Sequence, residues 1–276
     1  MKIIDVHGAR IPALGLGTWT LEGSDCRDLV SKAIDVGYRH IDTARMYGNE
    51  AAVGEGIRAN GIARDELFVT TKVWWTELTR DALLASAKAS IDDLGIGPVD
   101  LFLIHWPNPD VALEESIDAL NEVVSEGLAR HIGVANFPSA LLHEAAAMSH
   151  SPLLCNQVEY HPLLSQNSVL EACRVNDMAL VAYSPIGRAG ALIDKDPVKQ
   201  TAEAHGKTPV QVVLRWHMEQ PNVGAIPRTS KVERLEENLA VFDFELTNEE
   251  MDAISALASP QGRIVDPSFA PTWDRD

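Results

Sequence analysis

The chain has 276 residues, of which 46% are apolar, enough for one globular core of ordinary composition. Acidic residues outnumber basic ones 40 to 23, and the net charge of −17 argues against nucleic acid or anionic membrane as a general partner. No apolar run approaches the ~20 residues that span a bilayer. Asp5 and His7 stand where a secretory signal needs an apolar stretch, and Cys26, Cys155 and Cys173 lack metal-like or redox spacing. The expectation is a soluble, cytoplasmic protein with reduced thiols and no metal.

The first elements read as a short hairpin, Ile3–Val6 and Arg10–Ala13 around His7-Gly8-Ala9. Leu14–Gly17 makes a first strand, and Ser24 caps a helix through Asp35. The strand Tyr38–Asp42 follows, then a helix from the cap Asn49 to Ala59, then the strand Leu67–Lys72. Thr79–Leu94 carries Leu83, Leu84, Ala87, Ile91 and Leu94 on one helical face, and Gly95 closes it. The strand Leu101–His105 leads to the helix Leu113–Glu126, and Ala129–Val134 to Pro138–Met148, with Pro138 in the first turn. Cys155–Glu159 precedes the helix Gln166–Asn176. Ala179–Tyr183 opens a longer excursion that contains a helix over Pro209–Gln220. Val223–Ile226 is the last strand, Val232–Leu239 its helix, Glu249–Ala258 an extra helix, and the tail from Ser259 is rich in Pro and aromatics.

Eight strands, each followed by a helix, predict an α/β chain folded as one (β/α)₈ TIM barrel over residues 1–276. An open doubly wound sheet is the alternative, but Gly15-Leu16-Gly17 lacks the third glycine of a Rossmann domain's dinucleotide fingerprint.

Asp42, Lys72 and His105 stand at the ends of three consecutive strands, and Tyr47 lies in the loop after Asp42. In a parallel barrel those ends share one mouth. Each residue alone has a bland reading: Asp42 as a cap, Lys72 as a solvated charge, Tyr47 or His105 as structural. Together they form a proton-donating set. A phenol with a pKa of ~10 is a weak acid at neutral pH. A cation at ~4 Å is worth about 4 kcal/mol at an effective dielectric of ~20, which would lower that value by up to about three pKa units, less what desolvation and the opposing charge of Asp42 take back. Lys72 is the expected cation, Asp42 the group that keeps it charged, and His105 a hydrogen-bond donor to a carbonyl oxygen. A Schiff-base role for Lys72, as in barrel lyases, is a competing reading.

Several motifs occur in fixed order: Leu16-Gly17-Thr18-Trp19, Asp42-Thr43-Ala44, Tyr47-Gly48-Asn49-Glu50, Thr71-Lys72-Val73-Trp74 and Ile104-His105-Trp106-Pro107. Gly133-Val134-Ala135-Asn136-Phe137, Asn156 through Pro162, Ala182-Tyr183-Ser184-Pro185, Ile226-Pro227-Arg228-Thr229, Glu236-Glu237-Asn238 and Gly262-Arg263-Ile264-Val265 follow. Along essentially its whole length the chain resembles the aldo-keto reductases, in particular the bacterial branch with 2,5-diketo-gluconate reductases.

The resemblance implies a barrel that binds NADPH in extended form, with NADH as a weaker alternative. It implies that Asp42, Tyr47, Lys72 and His105 are the catalytic tetrad, with Tyr47 as proton donor. His105 points to carbonyl reduction, since relatives that reduce carbon–carbon double bonds have Glu there. Gly17 and Thr18 would lie beside the cofactor, Asn136 and Gln157 would bond the nicotinamide carboxamide, and Tyr183 would stack on its ring, with Ser184 and Ile226 adjoining. Arg228, Thr229, Lys231 and Arg234 would hold the adenosine 2′-phosphate, and Glu237 and Asn238 the adenine. The bland alternative is a solvated basic face balanced by Glu233, Glu236 and Glu237. Trp19, Tyr47, Trp74, His105 and Trp106 would line the substrate pocket, with Phe269 and Trp273 at its rim.

Two departures stand out: Arg228 replaces a common Lys, and Ala135 replaces a Ser that would bond the carboxamide. The implied substrate is a small carbonyl compound, possible examples being keto-sugar acids or dicarbonyls, and the implied state is a monomer. A non-catalytic barrel that keeps NADPH as a sensor or scaffold is the reading from another class.

Overall fold

The computed structural model of the protein describes residues 1–187, 189–259 and 261–275, without the side chain of Ala189. Strands β1 (Ile3–Val6) and β2 (Ala9–Pro12) form an antiparallel hairpin in which Ile3 faces Pro12 and Val6 faces Ala9. His7 and Gly8 both have positive φ, 46° and 79°, which matches the twist of a tight two-residue turn.

Eight parallel strands then follow in sequence order: β3 (Leu16–Gly17), β4 (His40–Asp42), β5 (Phe68–Val73), β6 (Val99–Ile104), β7 (Ala129–Ala135), β8 (Leu153–Glu159), β9 (Ala179–Tyr183) and β10 (Val223–Ala225). Backbone bonds join the two ends of this sheet. Gly15 N donates to Ala225 O at 2.9 Å, Ala225 N to Ala13 O at 2.7 Å, and Gly17 N to Pro227 O at 3.1 Å. The (β/α)₈ barrel expected from alternation is therefore closed, and closure leaves no free sheet edge.

Helices α1 (Gly23–Val36), α2 (Glu50–Asn60), α3 (Arg80–Leu94), α4 (Leu113–Ser125), α5 (Ser139–Met148) and α6 (Asn167–Val175) follow β3 to β8 in turn. The excursion after β9 holds α7 (Ala189–Ile193), α8 (Asp196–His205) and α9 (Pro209–Glu219), and α10 (Glu233–Leu239) and α11 (Asn248–Ser255) come after β10. The apolar stripe of α3 is buried through Leu83, Leu84, Ala87 and Leu94, and Gly95 ends the helix at φ 59°. Helix α9 starts with a reciprocal cap between Thr208 and Gln211.

Local differences have local causes. Helix α1 begins one residue before Ser24, and its cap position, Glu22, makes no side-chain cap bond. Asn49 stands at the cap position of α2, but its side chain donates to Thr18 O and Leu21 O instead, tying two loops together. Helices α7 and α8 escape sequence reading because α8 buries only Val198, Thr201 and Ala202, too thin a stripe to stand out.

Side chains alternate along each strand, so His40 and Asp42 on β4 share the inward side, as do Thr70 and Lys72 on β5. His40 fills the barrel below the mouth: its ring bonds Thr70 Oγ1 and Pro12 O, each at 3.2 Å. The Pro12 contact places the hairpin beneath that end. Gly15 leaves the room His40 needs, since a Cβ there would lie 2.9 Å from its ring.

Burial pushes His40 and His105 below their usual values, and takes His217 on α9 down to about 4, although Pro185 O at 2.9 Å favours its charged form. These imidazoles fold neutral, while an unfolded chain would protonate them below ~6.5. Their contribution is complete above that pH and is lost on acidification toward pH 4. For His217 alone the gap corresponds to roughly 3 kcal/mol. Urea titrations from pH 7.5 to 4.5 should show stability falling, and His217→Gln should flatten that slope.

Candidate active site

Strands β4, β5 and β6 are adjacent, and their C-terminal ends bring the expected set together. Lys72 Nζ lies 2.5 Å from Asp42 Oδ1 and 2.7 Å from Thr43 O. The two side chains are 0% and 1% exposed, so this is a buried ion pair. Gln157 on β8 reaches across the barrel and donates from Nε2 to Asp42 Oδ2 at 2.7 Å. Both Asp42 oxygens are thus engaged.

Tyr47 ends a single 3₁₀ turn, Arg45–Tyr47, and Gly48 at φ 65° closes that turn. The Lys72 ammonium sits 5.2 Å from the Tyr47 ring centroid. The His105 ring meets Tyr47 edge-on at 5.8 Å and Trp74 at 5.1 Å. Burial, and Lys72 after it, hold His105 well below the usual imidazole range, so it is neutral at physiological pH. Its Nδ1 is buried without a partner among the described residues.

The phenol departs from expectation. Burial, and the Asp42 carboxylate after it, push Tyr47 well above its ordinary value rather than below it. The carboxylate at 2.5 Å cancels much of the field of Lys72, so desolvation of the phenolate wins. A proton donor is still well served. The phenol stays protonated through neutral pH, and the oxygen of a carbonyl that gains a negative charge is a stronger base than a phenolate.

Around this centre, Thr18 is fully buried and its Oγ1 donates to Asp42 O at 3.0 Å. Gly17 packs directly on Ile226: a Cβ would lie 2.7 Å from Ile226 O. Asn136 sits at φ 63°, donates to His105 O at 2.9 Å and accepts from the Tyr183 hydroxyl at 2.8 Å. These bonds fix Asn136 and Tyr183 on one side of the mouth. An amide nitrogen carries two hydrogens, so Asn136 retains one for a ligand, as Gln157 retains its carbonyl oxygen. Ser184, at φ 47°, turns the chain out of β9.

Arg228, Lys231 and Arg234 are exposed, and none of them lies within ion-pair distance of a carboxylate among the described residues. Glu237 accepts from Thr208 Oγ1 at 2.7 Å. Three exposed cations without a close ion pair among the described residues leave donors open to an anion. Thr229 is buried and accepts from Lys231 N at 3.0 Å, which orders that turn. Asn238 is 5% exposed and lies beside the Tyr38 hydroxyl, so it has little surface to offer a ligand.

The structure brings Trp74 and Trp106 into ring contact with the tail. Phe269 from the tail stands 5.5 Å from both Trp74 and Trp106, and stacks on Trp75 at 4.7 Å. Trp273 meets Trp106 at 5.9 Å. Trp19 is 58% exposed, free to fold over a ligand rather than serve as core. Trp75 was legible only as the neighbour of Trp74. Glu159 entered the sequence reading only as part of the motif Asn156 through Pro162, with no role assigned: fully buried, it accepts from His161 Nε2 at 2.9 Å and from Ile264 N and Val265 N at 2.8 Å. Those bonds moor the tail to β8 over a separation of more than a hundred residues, which no local pattern reveals.

Comparison with known proteins agrees with this geometry. Residues 13–259 match the Aldo/keto reductase family. The chain is 40% identical over 267 residues to methylglyoxal reductase DkgB of Yersinia pestis, covering 96% of this chain and 99% of that one. It superposes on the crystal structure of a putative 2,5-diketo-D-gluconic acid reductase B with a TM-score of 0.97 and 45% identity, covering 100% of this chain and 98% of that one. An aldo-keto reductase of Bombyx mori in complex with NADP superposes with a TM-score of 0.90 at 32% identity, covering 99% and 97% of the two chains.

Proposed function

This chain belongs to the aldo/keto reductase family, and from that premise we propose that it reduces aldehyde or ketone carbonyls to alcohols with NADPH, Tyr47 giving the proton. The observation that carries the reading is the buried Lys72–Asp42 pair beside Tyr47 and His105 at three adjacent strand ends. A reduced nicotinamide, when bound, would supply the hydride that goes to the carbonyl carbon. Tyr47 and the neutral His105 imidazole aim donors at the carbonyl oxygen as its charge grows. Tyr47 then transfers its proton there, and Lys72, held by Asp42, limits the cost of the phenolate left behind. Trp74, Trp106 and Phe269 exclude water from that exchange.

Asn136 and Gln157 would hold the carboxamide, Tyr183 would stack on the ring, and Gly17, Thr18, Ser184 and Ile226 would flank the cofactor. Arg228, Thr229, Lys231 and Arg234 would take the 2′-phosphate, with Glu237 and Asn238 toward the adenine. NADH lacks that phosphate and is the weaker cofactor in this reading. The reading includes a monomer, residues 1–276 acting as one barrel domain in the cytoplasm. Its support is a barrel that closes on itself and three buried, unpaired thiols.

The test is NADPH oxidation in the presence of methylglyoxal and other reactive aldehydes. NADPH binding with no turnover on any carbonyl would leave only the sensor or scaffold. A companion measurement concerns the phosphate. Arg228→Ala should weaken NADPH by about tenfold or more, the worth of a charge-assisted bond, and NADH by much less. Equal losses for the two cofactors, measured by fluorescence titration, would remove the phosphate from that turn.

A further inference from the structure

The motif Tyr47-Gly48-Asn49-Glu50 ends in a charged residue that the reaction above does not use. Glu50 opens α2 and is 2% exposed, and a carboxylate is rarely taken that far from water without partners. Its two oxygens face different elements. Oε1 accepts from Thr71 Oγ1 at 2.5 Å, and Oε2 accepts from Arg45 Nη1 at 3.2 Å. Thr71 is the residue before Lys72 on β5, and Arg45 opens the 3₁₀ turn that ends at Tyr47. One side chain therefore grips both the strand that carries the ammonium and the turn that carries the phenol.

The chain around that turn is pinned at two points. Thr43 N donates to Thr70 O at 2.9 Å and Thr43 O accepts from Lys72 Nζ at 2.7 Å. Asn49 Nδ2 donates to Thr18 O at 2.8 Å and to Leu21 O at 3.0 Å. Between Thr43 and Asn49 the backbone bonds are local: Tyr47 N to Ala44 O at 3.0 Å and Gly48 N to Arg45 O at 3.2 Å. They close the turn on itself without fixing it to the barrel. Met46 is 44% exposed, and the Met46 and Tyr47 side chains make no hydrogen bond to another described residue. The turn is anchored by the Arg45 side chain, whose Nη1 bonds Asp93 near the end of α3 as well as Glu50. Asp93, Arg45 and Glu50 alternate in sign from the surface inward, so the buried carboxylate is not left uncompensated.

We propose that Glu50, acting through Arg45 and Thr71, is a positioning residue that sets how the Tyr47 phenol stands relative to Lys72. This rests on the reductase reading above. A proton donor has to stand within hydrogen-bond reach of the atom that receives the proton, and a displacement of about 1 Å can cost on the order of 10²-fold in rate. The turn is short and partly exposed, so it holds that precision only through its link to β5. Glu50 supplies the link from the far side of the strand, without touching substrate.

Two variants cut the link from opposite ends. Glu50→Gln leaves one acceptor oxygen where two donors, Thr71 and Arg45, need one each. Arg45→Met cuts it at the partly exposed end and keeps the Glu50 carboxylate, which also favours the charged form of Lys72. Each is made in the wild type and in Tyr47→Phe, and followed by single-turnover NADPH oxidation with methylglyoxal. The amplitude counts folded sites, and the rate constant reports the chemical step. NADPH affinity is measured separately by fluorescence titration.

In the wild-type background each variant should lower the rate constant about tenfold or more and change NADPH affinity by less than about threefold. In the Tyr47→Phe background each should lower it by less than about twofold, because no hydroxyl is left to misplace. Arg45→Lys should recover part of the loss. Equal factors in the two backgrounds would overturn the proposal and make Glu50 a general fold element. Unchanged rate constants, with or without a smaller amplitude, would overturn it too, as would a loss that follows NADPH affinity. Failure of the wild type to oxidise NADPH with methylglyoxal or any other aldehyde would instead sink the reductase reading itself.

Discussion

Tyr47→Phe should reduce kcat for carbonyl reduction by about 10²–10⁴-fold, the usual worth of a positioned general acid. The change removes only the hydroxyl, which makes no hydrogen bond to another described residue. The ring and its edge contact with His105 at 5.8 Å remain, so folding and NADPH affinity should hardly change. Because burial and Asp42 keep the phenol well above its ordinary value, the donor form persists through neutral and mildly alkaline pH. Wild-type kcat, with chemistry rate-limiting, should therefore stay flat from pH 6.5 to 9. Near-normal turnover in the Phe variant, measured by single-turnover NADPH oxidation, would remove the proton-donor role.

Lys72→Met should damage both chemistry and stability, and the two can be separated. The pair Lys72–Asp42 is inside the barrel, and removing one partner strands a carboxylate whose other oxygen receives a single bond from Gln157. Breaking a buried pair typically costs about 3–5 kcal/mol. Adding Asp42→Asn to the Met variant removes the stranded charge and should restore part of that stability. Activity should not return, since the Tyr47 phenolate would still lack its cation. A urea midpoint unchanged in the single variant, or turnover recovered in the double one, would contradict this role for the pair.

The net charge of −17 bears on the same centre. Arg228, Lys231 and Arg234 stand exposed after β10 with no ion pair among the described residues. In the reading proposed above, a cofactor phosphate would meet these cations locally within a repulsive global field, and its binding should weaken as salt screens that local attraction.

Particular residues show what could be read without coordinates. The strand ending at Asp42, the strand carrying Lys72 and the strand leading to His105 each announced themselves as short apolar runs. Their alternation with helices such as Arg80–Leu94 favoured a parallel sheet, and in a closed one the strand ends must converge. That is local periodicity plus a rule of topology, and both are written in one dimension. Helix boundaries slipped by a residue or two where caps were made by backbone alone, as at Glu22.

Residue order determined the barrel, the convergence of Asp42, Tyr47, Lys72 and His105, and the excess of acid over base. Only tertiary structure decided the direction in which the Tyr47 phenol titrates, because that depends on how nearly Asp42 cancels Lys72 and on how much water is excluded. It alone also decided that Asn136 is shared between His105 and Tyr183, and that Glu159 ties down the tail. Pattern along a chain records which face a side chain takes. Desolvation and the sharing of hydrogen bonds depend on what arrives at that face from elsewhere in the chain.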